Sequence, residues 1–375
     1  MERRTNIVIS ANSLWNLVNF RRGLIDALSR YGFRVTAIAP AGEEAAPASL
    51  PCETIGISID RSGVNPFRDV RLLWSYYRAL RRLKPVAYLS YTIKPNIYGA
   101  LAARWAGVAS LPNVSGLGTA FIDDTLFTRF VGRLYAAAFR KSAAVYFQNP
   151  DDRDLFVGRR IVRPEQARLL PGSGIDLDHF LPGPQPAAGP PTFLFIGRLL
   201  GDKGVREFAE AARLLKDKLP GARFQLLGDI DDGNRSAIRR EELAGWIEQG
   251  IVEYLGHCDD VRPFVREATA VVLPSYREGL PRTLLEGAAL ARPLVATDVP
   301  GNREIAIDGV TGLLCAARSA SSLADTMHRM AKLSPEGRAA LGEAARERVE
   351  RIFSEKVVIQ SYLDALQQLT ESQGA

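Results

Sequence analysis

Two stretches in the second half of this 375-residue chain carry side chains whose spacing could do chemistry. The first is Gly197-Arg198-Leu199-Leu200-Gly201-Asp202-Lys203-Gly204, which directly follows an apolar run at 192–196 and opens a helical pattern. Glycines there let backbone N–H groups approach an anion, and a helix N-terminus adds a positive dipole end. Arg198 and Lys203 bring two cations to the same mouth. The pattern GxxxxGK[ST] is not satisfied, so this is not a P-loop. A diphosphate is the natural guest; an ordinary basic surface loop is the alternative. The second stretch is Glu278-Gly279-Leu280-Pro281, which follows a run at 270–274 and begins another helix, with Glu286 further along it. The eight residues from Glu278 to Glu286 span about 12 Å of helix axis, enough for two carboxylates to hold the two ends of an extended ligand. A nucleotide-sugar has that form: sugar hydroxyls at one end, ribose hydroxyls at the other, a diphosphate between them. The bland readings are a helix-dipole partner for Glu278 and a solvated helix residue for Glu286.

Alternating strands and helices must position these groups. The pattern predicts a strand at 6–10, a loop at 11–19, a helix at 20–31 stopped by Gly32, and a strand at 34–39. Helices at 70–83, 96–105 and 125–142 then alternate with strands at 86–90 and 145–148. Six prolines and four glycines between Pro171 and Pro191 mark an interdomain connection. A second series follows: strands at 192–196, 223–227, 252–255, 270–274 and 293–297, helices at 205–219, 235–249, 282–291, 321–331, 335–352 and 355–369. Such alternation predicts an α/β protein of two doubly wound, Rossmann-like domains facing across a cleft. The expected boundaries are 1–182, 183–352, and a final helical segment, 353–375, packing back toward the first domain. Ligands of such sheets sit outside the carboxyl ends of the strands.

Composition removes several classes. Cys52, Cys258 and Cys315 are scattered with no CxxC pair, which argues against a disulfide framework or zinc knuckle and for a reducing compartment. His179, His257 and His328 are the only histidines, with no HExxH and no GxSxG elbow. No GxGxxG opens either half, which disfavours a dinucleotide oxidoreductase. The start, MERRTNIVIS, does not read as a signal peptide, and no apolar run is long enough to span a membrane. Net charge is +6, unevenly spread: residues 1–185 hold 24 Lys and Arg against 15 Asp and Glu, and residues 186–375 hold 24 against 27. The basic first half is expected to meet something anionic, and no nucleic-acid motif makes that a nucleic acid.

Residues 252–314 resemble the family 4 glycosyltransferases, which are retaining enzymes of the GT-B fold. The E-x7-E element of that family matches Glu278 and Glu286, and its GR-x4-KG element matches Arg198 and Lys203. SLWNLVNFRRGLIDAL, YTIKPNIYGALAARWAG and SGLGTAFI in the first half resemble a bacterial branch that adds hexose or N-acetylhexosamine to polyprenyl-diphosphate glycans. The resemblance implies roles. Arg198 and Lys203 neutralise the donor diphosphate as the leaving group gains charge, which is electrostatic catalysis without a metal. Glu278 holds donor sugar hydroxyls and Glu286 the ribose. Gly197, Gly279 and Leu280 line the phosphate cradle, and Gly228, Tyr254 and Leu255 lie near the base. Asp229-Ile230-Asp231 looks like a metal-binding DxD but reads as a turn. No cofactor is implied, since the UDP-sugar is a co-substrate, with GalNAc slightly favoured by the branch. Retention without an evident nucleophile implies front-face substitution, in which the departing phosphate takes the acceptor's proton.

Acceptor candidates are Asn19, Arg21 and Arg22 on the first loop, Lys94 and Asn96 near the N-domain cleft, and Ser115-Gly116-Leu117-Gly118 on its wall. Solvated first-turn residues and a plain turn are the alternatives. The branch commonly has Cys where this chain has Asn302. Along 125–142, Arg129, Arg133 and Arg140 form one stripe, with Phe127, Phe130, Val131, Leu134 and Ala138 opposite. The apolar side is expected in the core and the basic stripe toward an anionic membrane surface. The expected setting is cytoplasmic, peripheral on the inner face of a bacterial plasma membrane, with a lipid-linked saccharide as acceptor. Another GT-B enzyme, such as an epimerase or phosphorylase, and a non-catalytic UDP-binding protein remain as alternatives.

Overall fold

The computed structural model describes residues 5–42, 50–60, 65–117, 125–186 and 189–374, with side chains through residue 371. The chain divides into two units, 1–174 with 355–375, and 175–354.

In the first unit β1 (Asn6–Ser10) leads to α1 (Leu14–Arg30), β2 (Arg34–Pro40), β3 (Glu53–Ile57), α2 (Pro66–Leu83) and β4 (Ala87–Tyr91). A single π turn, Pro95–Gly99, runs into α3 (Ala100–Ala106). Then come β5 (Ala109–Val114), α4 (Leu126–Phe139), β6 (Val145–Phe147), α5 (Pro150–Gly158) and β7 (Ala167–Leu169). The seven strands are parallel, in the order β3-β2-β1-β4-β5-β6-β7. The direction of winding reverses between β1 and β4, where a doubly wound sheet opens its crevice. Alternation along β1 explains the two layers: Ile7 and Ile9 pack with α1, Val8 with α2 and α3.

Helix α1 starts six residues before the expected position. Ser13 caps it, its Oγ accepting from the Asn16 N–H at 3.1 Å, and Leu14 and Leu17 are buried. The expected loop over 11–19 is therefore mostly helix. Strands β3, β5 and β7 and helix α5 were not anticipated. Helix α5 carries ordinary start signals, an Asn149 cap, Pro150 at its first position, and Asp151 and Asp152 in its first turn.

In the second unit β8 (Thr192–Ile196), α6 (Val205–Leu215), β9 (Arg223–Leu227), α7 (Arg240–Glu248) and β10 (Glu253–Tyr254) form one half. The other half is α8 (Arg262–Glu267), β11 (Ala270–Leu273), α9 (Arg282–Ala289), β12 (Leu294–Thr297), α10 (Asn302–Ile305), β13 (Gly312–Cys315), α11 (Ala320–Lys332) and α12 (Pro335–Arg348). The parallel order is β10-β9-β8-β11-β12-β13, with its reversal between β8 and β11. Helices α6, α7 and α9 are shorter than the sequence pattern suggested.

The Pro-rich stretch from Ile175 onward belongs to this second unit, so the division falls at Gly174/Ile175 and not at 182/183. Arginines hold it there: Arg346 donates to the Phe180 carbonyl (2.6 Å), Arg266 to Leu181 (3.1 Å) and the fully buried Arg292 to Pro184 (2.5 Å). Helix α13 (Glu355–Gly374) returns to the first unit, where Val358, Tyr362, Leu363 and Leu366 join the core beneath α1.

Candidate functional site

The two motifs of the second unit meet at its topological reversal. The Gly197–Gly204 segment leaves the carboxyl end of β8, and the Glu278 segment leaves that of the adjacent β11. Lys203 Nζ donates to Glu278 Oε1 at 2.5 Å, with side chains 27% and 11% exposed. The backbone holds the loops together as well, since the Tyr276 N–H donates to the Asp202 carbonyl at 2.9 Å. Gly204, at φ 77°, allows this approach: a Cβ there would lie 2.1 Å from the Pro274 carbonyl oxygen. Gly228, at φ 142°, brings the end of β9 against β8; its Cβ would lie 2.0 Å from the Gly197 oxygen.

Arg198 lies at the outer side of the same loop, its Nη1 donating to Asp231 Oδ2 at 2.7 Å. In the DxD-like turn, Asp231 thus faces Arg198, and Asp229 Oδ2 lies 3.0 Å from His257 Nδ1. Pro281 is the N-cap of α9 and not its first helical residue, and Gly279 is buried just ahead of it. Glu286 sits one turn into α9 and accepts from Arg282 Nε at 2.9 Å. Burial pushes its carboxyl above the ordinary value, against the opposing pull of Arg282. It is therefore a largely buried, partnered carboxylate and not a solvated one. Thr283 Oγ1 donates to the Ile196 carbonyl at 3.1 Å and pins α9 to the end of β8.

A cavity of about 260 Å³ opens beside β9 and β10, walled by Asp229, Ile230, Arg240 and Tyr254. Leu255 packs against the core, as Ile230 and Tyr254 do, but does not line this cavity. Sequence reasoning gave no role to Tyr276, whose hydroxyl donates to Glu207 Oε1 at 2.6 Å and is pushed up to about 12 by burial and by that carboxylate. It also gave none to Thr297. Asn302 is wholly buried, its Nδ2 donating to Thr297 Oγ1 at 2.9 Å, while Thr297 donates to the Ser275 carbonyl. This polar knot ties the ends of β11 and β12 beneath the Glu278 loop. No spacing signal marks it.

The acceptor candidates of the first unit do not converge. Residues two apart on a helix point in opposite directions, so α1 sends Asn19 outward and Arg21 inward. Asn19 is exposed and donates to the Trp15 carbonyl at 3.0 Å. Arg21 is buried with its guanidinium 3.8 Å from the Tyr91 ring centroid, and its Nε has no hydrogen-bond partner. Arg22 is exposed. Lys94 Nζ lies 2.8 Å from Asp69 Oδ1, and Tyr98 donates to the other oxygen at 2.9 Å. Asn96 is a correction: it is buried, accepting from Ser90 and donating to the Asn113 carbonyl, each at 2.8 Å, and offers an acceptor no surface. Thr92 holds φ 68° beside Asn12, whose N–H donates to Thr92 Oγ1 at 3.2 Å, at the β1/β4 reversal. Gly118 lies outside the described residues.

Two family models match: Glycosyl transferases group 1 over residues 190–332 and the Glycosyl transferase 4-like domain over 18–172. The chain belongs to these family 4 glycosyltransferases, and it is a transferase of GT-B fold. Among its relatives is the N,N'-diacetylbacillosaminyl-diphospho-undecaprenol alpha-1,3-N-acetylgalactosaminyltransferase of Campylobacter jejuni, 28% identical over 366 residues, 93% of this chain and 94% of that one. The UDP-Gal:alpha-D-GlcNAc-diphosphoundecaprenol alpha-1,3-galactosyltransferase of Escherichia coli is 23% identical over 71% of this chain and 72% of its own length. Sucrose-phosphate synthase from Thermosynechococcus elongatus has the same fold, with TM-score 0.83 at 19% identity over 98% of this chain and 100% of that one. So does Anabaena HepE in complex with UDP and glucose, with TM-score 0.77 at 17% identity over 97% and 100%.

Proposed function

We propose that the protein transfers a hexose or N-acetylhexosamine from a UDP-sugar, GalNAc first, to a polyprenyl-diphosphate-linked saccharide during surface glycan assembly, with retention at the anomeric carbon. One observation carries the donor side: a lysine and a glutamate meet at the reversal point of the second sheet, with a second carboxylate, Glu286, on the helix that follows the Glu278 loop. On this reading Lys203 exchanges Glu278 for the β-phosphate when donor binds. Arg198 adds a second cation, and the backbone N–H groups of Gly279 and Leu280 complete the cradle. Freed of Lys203, the Glu278 carboxylate accepts hydrogen bonds from donor sugar hydroxyls, while Glu286 accepts from the ribose. The cavity at Asp229, Ile230 and Tyr254 takes the uracil side.

The acceptor hydroxyl attacks the anomeric carbon on the face the phosphate leaves, and its proton passes to the departing β-phosphate oxygen. The protein's cations provide the leaving-group stabilisation that a metal supplies elsewhere. The first unit binds the acceptor, and the enzyme rests peripherally on the cytoplasmic face of the membrane. The lipid-linked acceptors in the names of the Campylobacter and Escherichia relatives, and the UDP and glucose bound to HepE, support this reading. The test is a panel of UDP-sugars offered with a short polyprenyl-diphosphate saccharide in the presence of EDTA. A product heavier by one sugar, with α-linkage by NMR, is expected. Epimerised donor without transfer favours the epimerase alternative, and UDP binding without turnover favours the non-catalytic one.

A further inference from the structure

Lys203 and Glu278 belong to different loops, so the distance between them is only as well defined as the attachment of one loop to the other. Tyr276 joins the two loops twice. Its backbone N–H donates to the Asp202 carbonyl at 2.9 Å, and its hydroxyl donates to Glu207 Oε1 at 2.6 Å. Asp202 directly precedes Lys203, and Glu207 lies in the first turn of α6, shortly after Gly204. One residue therefore grips the chain on both sides of Lys203, two positions before Glu278. A single hydrogen bond between loops is a pivot. Two bonds from one aromatic residue also fix the rotation about it.

The surroundings hold this clamp in turn. Burial and the neighbouring carboxylate push the Tyr276 phenol up to about 12, so it keeps its proton at neutral pH and stays a donor. Arg318, the residue ahead of the Ser319 cap of α11, places its guanidinium carbon 4.7 Å from the Tyr276 ring centroid. Its φ of 58° is a left-handed backbone, uncommon for a residue with a Cβ. From the connection between β9 and α7, Ser236 Oγ donates to Asp202 Oδ1 at 3.0 Å, and the Gly201 N–H donates to the Ser236 carbonyl at 2.6 Å.

Folding alone does not require a polar pair here. Glu207 Oε2 is buried and accepts no hydrogen bond. A carboxylate with one idle buried oxygen costs free energy that a phenylalanine packed on an aliphatic side chain would not. What the pair adds is direction: a hydrogen bond constrains an angle as well as a distance, and apolar contact does not. Electrostatic catalysis depends on such constraint, because charged groups stabilise a transition state best when they are held in place beforehand.

We propose that Tyr276 is a positioning residue for the transfer reaction: through its bond to Glu207 it sets the spacing of Lys203 and Glu278, so that donor binding reorients two side chains and leaves both loops where they are. The inference rests on the donor site proposed above and assigns the residue that preorganises it.

Three full-length variants test it. Tyr276→Phe removes the hydroxyl alone and keeps the ring against Arg318. Glu207→Met removes the acceptor. Glu207→Gln keeps it, the amide nitrogen taking the place of the oxygen that has no partner. Each is assayed well below its measured melt with UDP-GalNAc, or the UDP-sugar that the panel above selects. The readouts are kcat and KM of transfer, slow hydrolysis of the donor by water, and UDP affinity by calorimetry. A misplacement of about 1 Å can cost on the order of 100-fold, so Tyr276→Phe and Glu207→Met are each expected to lose roughly 10- to 100-fold in kcat. Donor KM and UDP affinity should stay near the parent's, because the bond acts on the transition state and not on ground-state binding. Glu207→Gln should recover most of the rate. The double variant Tyr276→Phe/Glu207→Met should be no slower than either single, since both remove the same bond. Parental kcat in Tyr276→Phe, equal losses in Glu207→Gln and Glu207→Met, losses that multiply in the double variant, or a raised KM with unchanged kcat would each overturn the inference. A parent that hydrolyses the UDP-sugar but transfers to no lipid-diphosphate acceptor would sink the acceptor side of the function proposed above, and the hydrolysis rates of the same variants would then decide for or against Tyr276.

Discussion

Replacing Lys203 by Met keeps the aliphatic stem and removes only the charge. Two consequences follow from the 2.5 Å contact with Glu278. In the free enzyme a carboxylate only 11% exposed loses its cation. A solvent-exposed pair is worth about 0–1 kcal/mol and breaking a buried one costs about 3–5, so this half-buried pair should cost roughly 1–2 kcal/mol. For a unit of this size that lowers Tm by roughly 3–6 °C. In the transition state the loss is larger, because removing one preorganised charge-stabilising group typically costs about 100- to 1000-fold in kcat. Initial rates at saturating UDP-sugar, beside a calorimetric melt, separate the two. Lys203→Arg should recover the melt and only part of the rate, since a planar fork does not reproduce a compact ammonium. A Met variant that melts low but turns over within about threefold of the parent would refute the leaving-group role, leaving Lys203 a structural partner of Glu278.

Glu278→Gln should retain UDP affinity and lose roughly 100-fold or more in turnover, because the amide cannot reproduce a carboxylate's two acceptors; rates and UDP titration read this. Gly204→Ala should cost about 2 kcal/mol or more in urea unfolding, since its Cβ would press on the Pro274 carbonyl at a left-handed φ. Glu286 has a carboxyl raised by burial, so its contribution to stability is full below the ordinary glutamate range and lost as pH rises through the raised value. Glu286→Gln should therefore melt at or above the parent near pH ~8, with the gap closing toward pH ~4, and bind UDP more weakly. Asn302→Cys should stay within about 1 kcal/mol of the parent by chemical denaturation, because Asn302 Oδ1 is buried without a partner and its removal offsets the lost bond to Thr297.

The second unit was the more legible half. Its strands are short, continuous apolar runs, and the glycine and glutamate motifs stand at the ends of the two strands flanking the sheet reversal. What the spacing could not show was that Lys203 and Glu278, 75 residues apart, touch each other. In the first unit β5 escaped notice because Pro112 and Asn113 argue against a central strand, yet it pairs with both β4 and β6. Helix α1 was started six residues late, and that error let Asn19 and Arg21 appear on one surface. Asn96 was misread for a different reason. A polar residue after a strand resembles a ligand contact, but here it supplies hydrogen bonds beneath the strand ends. On α4 the core destination was right for Val131 and Ala138 and wrong for Phe127 and Phe130, which stand exposed, because a helical wheel does not say where the sheet stops covering it.

A crystal structure of this chain with UDP addresses the central claim most directly. The account predicts the β-phosphate within hydrogen-bonding distance of Lys203 Nζ and of the N–H groups at Gly279 and Leu280, with the ribose hydroxyls on Glu286. A nucleotide seated elsewhere, with Lys203 still bound to Glu278, would contradict it.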